Sequence, residues 1–201
     1  AYAIDTLAPA LIRGSTLSME DETRIAGEMS DFIGLSAEWI QLANLRVDPT
    51  RYRKELLRRE GHTVGRFDGR YKGVDSEGTS DVPENDPSGY GMDVAYVAAI
   101  NDYLTRELKV DFTRPYKVLT GEPGSQWNWS VNQQGWPSYV NVAPWLGKGM
   151  RENTDLRVLL ASGWYDLATP FFGAEMSLRK NGVVLDRVEF DYYDSGHMMY
   201  L

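Results

Sequence analysis

Hydrophobic positions in the first quarter of the chain recur at helical spacing. Ile25, Met29, Phe32 and Ile33 share one stripe, which predicts an amphipathic helix. Ser18, with Asp21 three residues on, resembles a capping box at its start. Gly34-Leu35-Ser36 interrupts the stripe, so 18–45 is expected as two helices, the second carrying Trp39, Ile40 and Leu42. Asp48-Pro49 opens another, with Asp as N-cap and Pro at the first helical position, and Gly61 closes it. A run of short helices with modest apolar faces suits a cap or lid.

The period then changes. HTVGRFDGRYKG (62–73) has strand-type residues around Asp68-Gly69, a hairpin signal. Residues 74–91 are polar and rich in Gly, Pro, Ser and Asp, and read as a long loop of the kind that is usually functional or disordered. A helix is predicted over 92–108, burying Val94, Val97, Ala98, Leu104 and Leu108, with Asn101 bonding to neighbouring backbone.

The last third reads as strand, helix, strand. Residues 156–162 form a continuous apolar run suited to a strand covered on both faces. Thr169-Pro170 opens a helix that runs to about Arg179, Asn181-Gly182 ends it, and 187–193 is the next strand. This is one βαβ unit, so the fold class is α/β. Two regions are expected: 1–110, a helical cap- or lid-like region with a hairpin and a long loop, and 111–201, part of an α/β sheet core.

Composition narrows the function classes. With 201 residues, 42% hydrophobic and 12% aromatic, the chain can bury a core. A formal net charge of −8 argues against nucleic acid as a partner, because phosphate contacts need clustered Lys and Arg. The basic stretch at 51–59 reads as one solvated helix face. Absent cysteine removes disulfides, thiolate zinc sites and thiol catalysis together. No apolar run reaches the roughly 18 residues of a membrane span, so no membrane partner is expected. The N-terminal residues lack the basic and apolar regions of a signal peptide and read as the interior of a longer chain. Two distant histidines and scattered carboxylates show no metal-ligand spacing, and no cofactor is expected.

The two predicted strands end at Gly163-Trp164-Tyr165-Asp166 and Asp194-Ser195-Gly196-His197. Open α/β sheets bind ligands at the carboxyl ends of their strands, so Asp166 and His197 can converge on one site. A histidine shuttles protons well when a carboxylate holds its second ring nitrogen. The acid-then-histidine order is that of α/β-hydrolases, where a serine precedes both. Asp191 lies within a strand, Asp194 reads as a turn residue, and His62 as a surface or turn histidine.

SGWYDLATPFFGAEMSL (162–178) followed by VEFDYYDSGHMMYL (188–201) resembles the C-terminal catalytic part of the serine carboxypeptidase family, which are α/β-hydrolases. The matching positions are Asp166, Pro170, Gly196, His197 and Met198. VGRFDGRY (64–71), AAINDYLTREL (98–108) and VNVAPWLGKGMREN (140–153) resemble the cysteine-free bacterial branch of that family. The resemblance implies an α/β-hydrolase core behind a helical cap. It also implies release of C-terminal residues from peptides with a free C-terminus by acyl-enzyme chemistry, in a secreted or periplasmic protein. Asp166 and His197 would be catalytic, and Trp164, Tyr165 and Met198 candidates for contact with substrate.

The family's G-x-S-x-G elbow does not occur in these residues. Ser125 (GEPGSQW), Ser162 (LASGW) and Ser195 (DSGH) lack its pattern. The nucleophile is therefore expected outside them, in an N-terminal half that is a separate chain or a missing segment, and the family's last helix is expected beyond Leu201. An esterase or acyltransferase would use the same pair, and a non-catalytic binding module would leave it inert. Trp127, Trp129, Trp136 and Trp145 are expected mainly to pack in the core, whereas Trp164 and Tyr165 flank Asp166 and can wall a pocket.

Overall fold

A computed structural model of the chain describes residues 1–111, 113, 116–117, 120–128 and 140–200. They form a mixed α/β structure in two compact units, Ala1–Pro87 and Ser88–Leu201. The boundary falls inside the polar loop that follows the hairpin, so the helix beginning at Met92 belongs to the second unit.

In the first unit α1 (Ala8–Arg13), α2 (Met19–Ile33), α3 (Ala37–Leu42) and α4 (Pro49–Glu55) precede an antiparallel hairpin of β1 (His62–Val64) and β2 (Lys72–Val74). Two helices begin at their predicted caps, Ser18 and Asp48, and a third is capped by Ser36 just after the predicted break. Ser18 Oγ accepts the N–H of Asp21 at 3.1 Å, and Ser36 Oγ that of Trp39 at 3.2 Å. Asp48 accepts those of Thr50 and Arg51 at 2.9 and 3.0 Å. Gly34 ends α2 at φ 75°, a left-handed conformation that a side chain would strain. The core joins Ala10, Ile25, Ala26, Met29, Leu35, Ile40 and Leu45. Phe32 is a correction to the predicted stripe: it lies at the stripe's edge and is mostly exposed, its ring tilted against Tyr2.

The hairpin forms, but its strands are joined by residues 65–71 rather than by a two-residue Asp-Gly turn. Asp68 instead accepts the Arg70 N–H at 2.9 Å and pairs with the Arg70 guanidinium at 2.7 Å. The basic stretch at 51–59 is also not one solvated face. Arg53 and Lys54 are buried, because the hairpin and the loop behind it offer acceptors there. Arg53 Nε donates to the Val64 carbonyl at 3.0 Å, and Lys54 Nζ forms an ion pair with Asp75 at 2.8 Å while donating to the Glu77 carbonyl. Arg58 donates to the Ser80 carbonyl at 2.9 Å, so α4 and the turn after it fasten the polar loop.

In the second unit α5 (Met92–Asp102) is followed by α6 (Glu122–Gln126) and α7 (Ala143–Glu152). No side chain of α5 is buried, contrary to expectation. Its sequence MDVAYVAAIND is apolar on most sides, so periodicity selects no inward face. Asn101 does bond locally, donating to the Val97 carbonyl at 2.7 Å. Trp127 and Trp145 are exposed rather than in the core, and Trp129 and Trp136 lie outside the described residues.

The βαβ unit forms as predicted: β3 (Val158–Gly163), α8 (Phe171–Lys180) and β4 (Val188–Tyr193). The strands pair in parallel from Val158 opposite Val188 to Gly163 opposite Tyr193, so both end at the same level. Arg187, at the foot of β4, donates to the carbonyls of Met150, Asn153, Thr154 and Leu156, which ties the end of α7 to the start of the sheet. The helix α8 lies on the face of Phe190 and Tyr192, with the Arg179 guanidinium 6.0 Å over the Phe190 ring. The opposite face is open at the level of Leu159 and Glu189. Leu159 is 59% exposed there, and its paired residue is Glu189. Among the described residues no helix is long and apolar enough to cross a membrane.

Candidate active site

Parallel pairing brings the two strand ends together, and the turns beyond them are knitted by backbone bonds. The Trp164 N–H donates to the Tyr193 carbonyl at 3.0 Å and the Tyr165 N–H to the Ser195 carbonyl at 3.1 Å. Gly163 permits this approach: a Cβ there would stand 2.1 Å from the Gly196 oxygen, so the position excludes every side chain.

Asp166 follows in the first turn and is 4% exposed. One carboxylate oxygen, Oδ1, accepts the N–H groups of Ala168 at 2.7 Å and Thr169 at 2.9 Å. The other, Oδ2, accepts the Thr169 hydroxyl at 2.5 Å and faces His197 Nδ1 at 2.9 Å. Burial alone would raise the Asp166 pKa. The bonds from the Thr169 hydroxyl and N–H, from His197 and from the Ala168 N–H outweigh it and hold the carboxyl below its ordinary value. The His197 side chain is 37% exposed against 3% for that of Asp166. The arrangement is a buried, fully hydrogen-bonded carboxylate behind an accessible imidazole. With Nδ1 engaged by the carboxylate, Nε2 is the nitrogen suited to exchange a proton with a reacting group.

Aromatic rings from the same strand ends and from the start of α8 pack against one another. Trp164 stacks on Tyr192 at 4.6 Å and meets Phe171 edge-on at 4.9 Å, and half of its surface remains exposed. Tyr165 is exposed and Met198 half-buried. Behind the rings, the Tyr192 hydroxyl donates to Glu175, which is also paired with Arg179 at 2.7 Å. Burial and that bond push the Tyr192 pKa up to about 12.

Of the serines, Ser162 is buried within β3, Ser195 lies two residues before His197, and the Ser125 hydroxyl donates to the Glu122 carbonyl at 2.9 Å. His62 is far from this chemistry in sequence and belongs to the first unit, its Nδ1 against the Glu60 carbonyl at 2.8 Å. Asp191 is held by the Tyr193 hydroxyl at 2.5 Å. Among the described residues no three His, Asp or Glu side chains converge as a metal site.

A cavity of about 680 Å³ lies elsewhere, in the first unit, lined by Trp39, Leu42, Arg46, Arg51 and Arg58. Its guanidinium groups are already engaged, Arg46 by the Leu11 and Asn44 carbonyls, Arg51 by Asp81 and Arg58 by Glu55. No histidine lines it, whereas the strand ends of the second unit bring one against a carboxylate at Asp166 and His197.

The sequence named both members of the pair and missed Thr169, which touches both. The signal was available: Asp166-Leu-Ala-Thr169 has the spacing of a turn in which Asp accepts backbone N–H groups two and three residues on. Compared with protein-family models, curated proteins and solved structures, the chain finds no match.

Proposed function

We propose that this chain supplies the acid and base of a serine carboxypeptidase-like hydrolase that releases C-terminal residues from peptides. One observation carries the reading: the 2.9 Å contact of Asp166 Oδ2 with His197 Nδ1 at the ends of adjacent parallel strands. The motifs GWYDLATP and DSGHMM, which resemble that family, hold the two residues.

The nucleophile is a serine outside these 201 residues, since no G-x-S-x-G occurs among them. His197 Nε2 takes the serine proton as the oxygen attacks the last peptide carbonyl. The protonated ring, steadied by Asp166, then gives that proton to the departing amino group as the peptide bond breaks. In the second half, His197 takes a proton from water, the resulting hydroxide attacks the acyl-serine ester, and the serine oxygen leaves with the proton. Exposed faces of Trp164 and Tyr165, with Met198, would wall the space for an apolar side chain of the peptide. The residues present call on no cofactor. The family's usual setting makes the compartment secreted or periplasmic.

A fluorophosphonate probe tests the reading on the protein that contains this chain. Labelling is expected at a serine outside these residues and is expected to disappear in His197→Ala. Labelling at the wild-type rate in that variant, or at Ser125, Ser162 or Ser195, contradicts it.

A further inference from the structure

Thr169 touches both members of the Asp166–His197 pair, and the reaction proposed above gives it no part. Its Oγ1 lies 2.5 Å from Asp166 Oδ2 and 3.2 Å from His197 Nδ1, while its N–H donates to Asp166 Oδ1 at 2.9 Å. A hydroxyl carries one hydrogen, and an ionised carboxylate can only accept. The hydrogen therefore lies on the shorter line, toward Oδ2, and Oγ1 meets the imidazole with a lone pair. Two acceptors then face Nδ1, so in the neutral ring Nδ1 carries the hydrogen and Nε2 is left basic.

We infer that Thr169 is a positioning residue of this site: its hydroxyl fixes the Asp166 carboxylate and, with it, the ring tautomer of His197. Its purpose rests on the hydrolase reading, whereas its geometry does not. The groups that meet Asp166 are the Ala168 and Thr169 N–H groups and the Thr169 hydroxyl from its own turn, and His197 from the turn after β4. Of these His197 alone is titratable.

The test is nuclear magnetic resonance on the full chain. Carbon-detected titration reads the Asp166 carboxyl, and long-range proton–nitrogen spectra read the His197 tautomer. Wild type is expected to show the neutral ring protonated at Nδ1. Thr169→Val keeps the shape and removes the donor. It is expected to move the Asp166 midpoint up and to let the Nε2-protonated tautomer appear. Thr169→Ser is expected to restore both, and Thr169→Ala carries the same expectation as valine should the branched side chain perturb folding. An Asp166 midpoint and a tautomer unchanged in both Thr169→Val and Thr169→Ala overturn the inference. Neither readout needs turnover, so a protein that shows the Thr169 effect without cleaving peptides refutes the hydrolase reading alone.

Discussion

Gly163 and Gly196 approach so closely that a Cβ on the first would stand 2.1 Å from the carbonyl oxygen of the second. That contact presses the turn carrying Asp166 against the turn carrying His197. Gly163→Ala must push the Ser195–Gly196 backbone away, with the loss of the Tyr165–Ser195 hydrogen bond and the Asp166–His197 contact. Overpacking of this kind costs about 1–3 kcal/mol, which a shift in denaturant midpoint at constant slope would register. A variant as stable as wild type, with its His197 ring resonances unmoved, would show that the contact is not needed.

Asp166 governs how the pair responds to acid. Burial raises its pKa, but the bonds from Thr169, His197 and Ala168 lower it further than burial raises it. A carboxyl with a depressed folded pKa contributes stability that is complete above its unfolded value, about 3.9, and is lost as pH falls through the lower folded value. The stability difference between wild type and Asp166→Asn is therefore expected to shrink only below about pH 4. Thermal melts across that range check this, and a difference that does not shrink below about pH 4 would contradict the lowered carboxyl.

Much of the fold was legible where it depends on local chain chemistry. Ser18, Ser36 and Asp48 cap helices through their own neighbours, and the apolar run at 158–163 pairs with 188–193 as a βαβ unit should. The convergence of Asp166 and His197 follows from topology, since parallel strands of one register end together. What stayed hidden depends on packing at a distance. Lys54 and Arg53 read as solvated charge, but acceptors at Val64, Asp75 and Glu77 draw them inside. The helix α5 has apolar residues around most of its circumference, so its sequence cannot say which side faces in. The Gly163 contact needs both strand ends in space before a reason for the glycine exists.

Lys54 makes that hidden part testable. Its ammonium and the Asp75 carboxylate are both almost completely buried, 2.8 Å apart. Lys54→Met strands the carboxylate, and breaking such a pair costs about 3–5 kcal/mol. The double variant with Asp75→Asn is expected to recover part of the loss, because no buried charge remains unpaired. A loss below about 1 kcal/mol in the single variant, the level of an exposed pair, would place this contact among surface ion pairs.

Tyr192 offers an alkaline counterpart. Burial first, and then its bond to Glu175, hold its phenol protonated up to about 12. A raised pKa contributes stability that is complete below the unfolded value, about 10, and is lost as pH rises through the folded one. Glu175→Gln removes the negative charge and is expected to bring the Tyr192 midpoint down in an ultraviolet titration, with Tyr192→Phe identifying the step. A midpoint that stays at about 12 in Glu175→Gln assigns the whole effect to burial.

The most direct measurement is kcat/KM for a blocked dipeptide with a free C-terminal carboxylate, using the protein that contains this chain. The account predicts turnover by wild type, far slower cleavage of the corresponding amide, and a loss of about a thousandfold or more in His197→Ala with the fold intact by circular dichroism. Wild-type turnover in His197→Ala would contradict it.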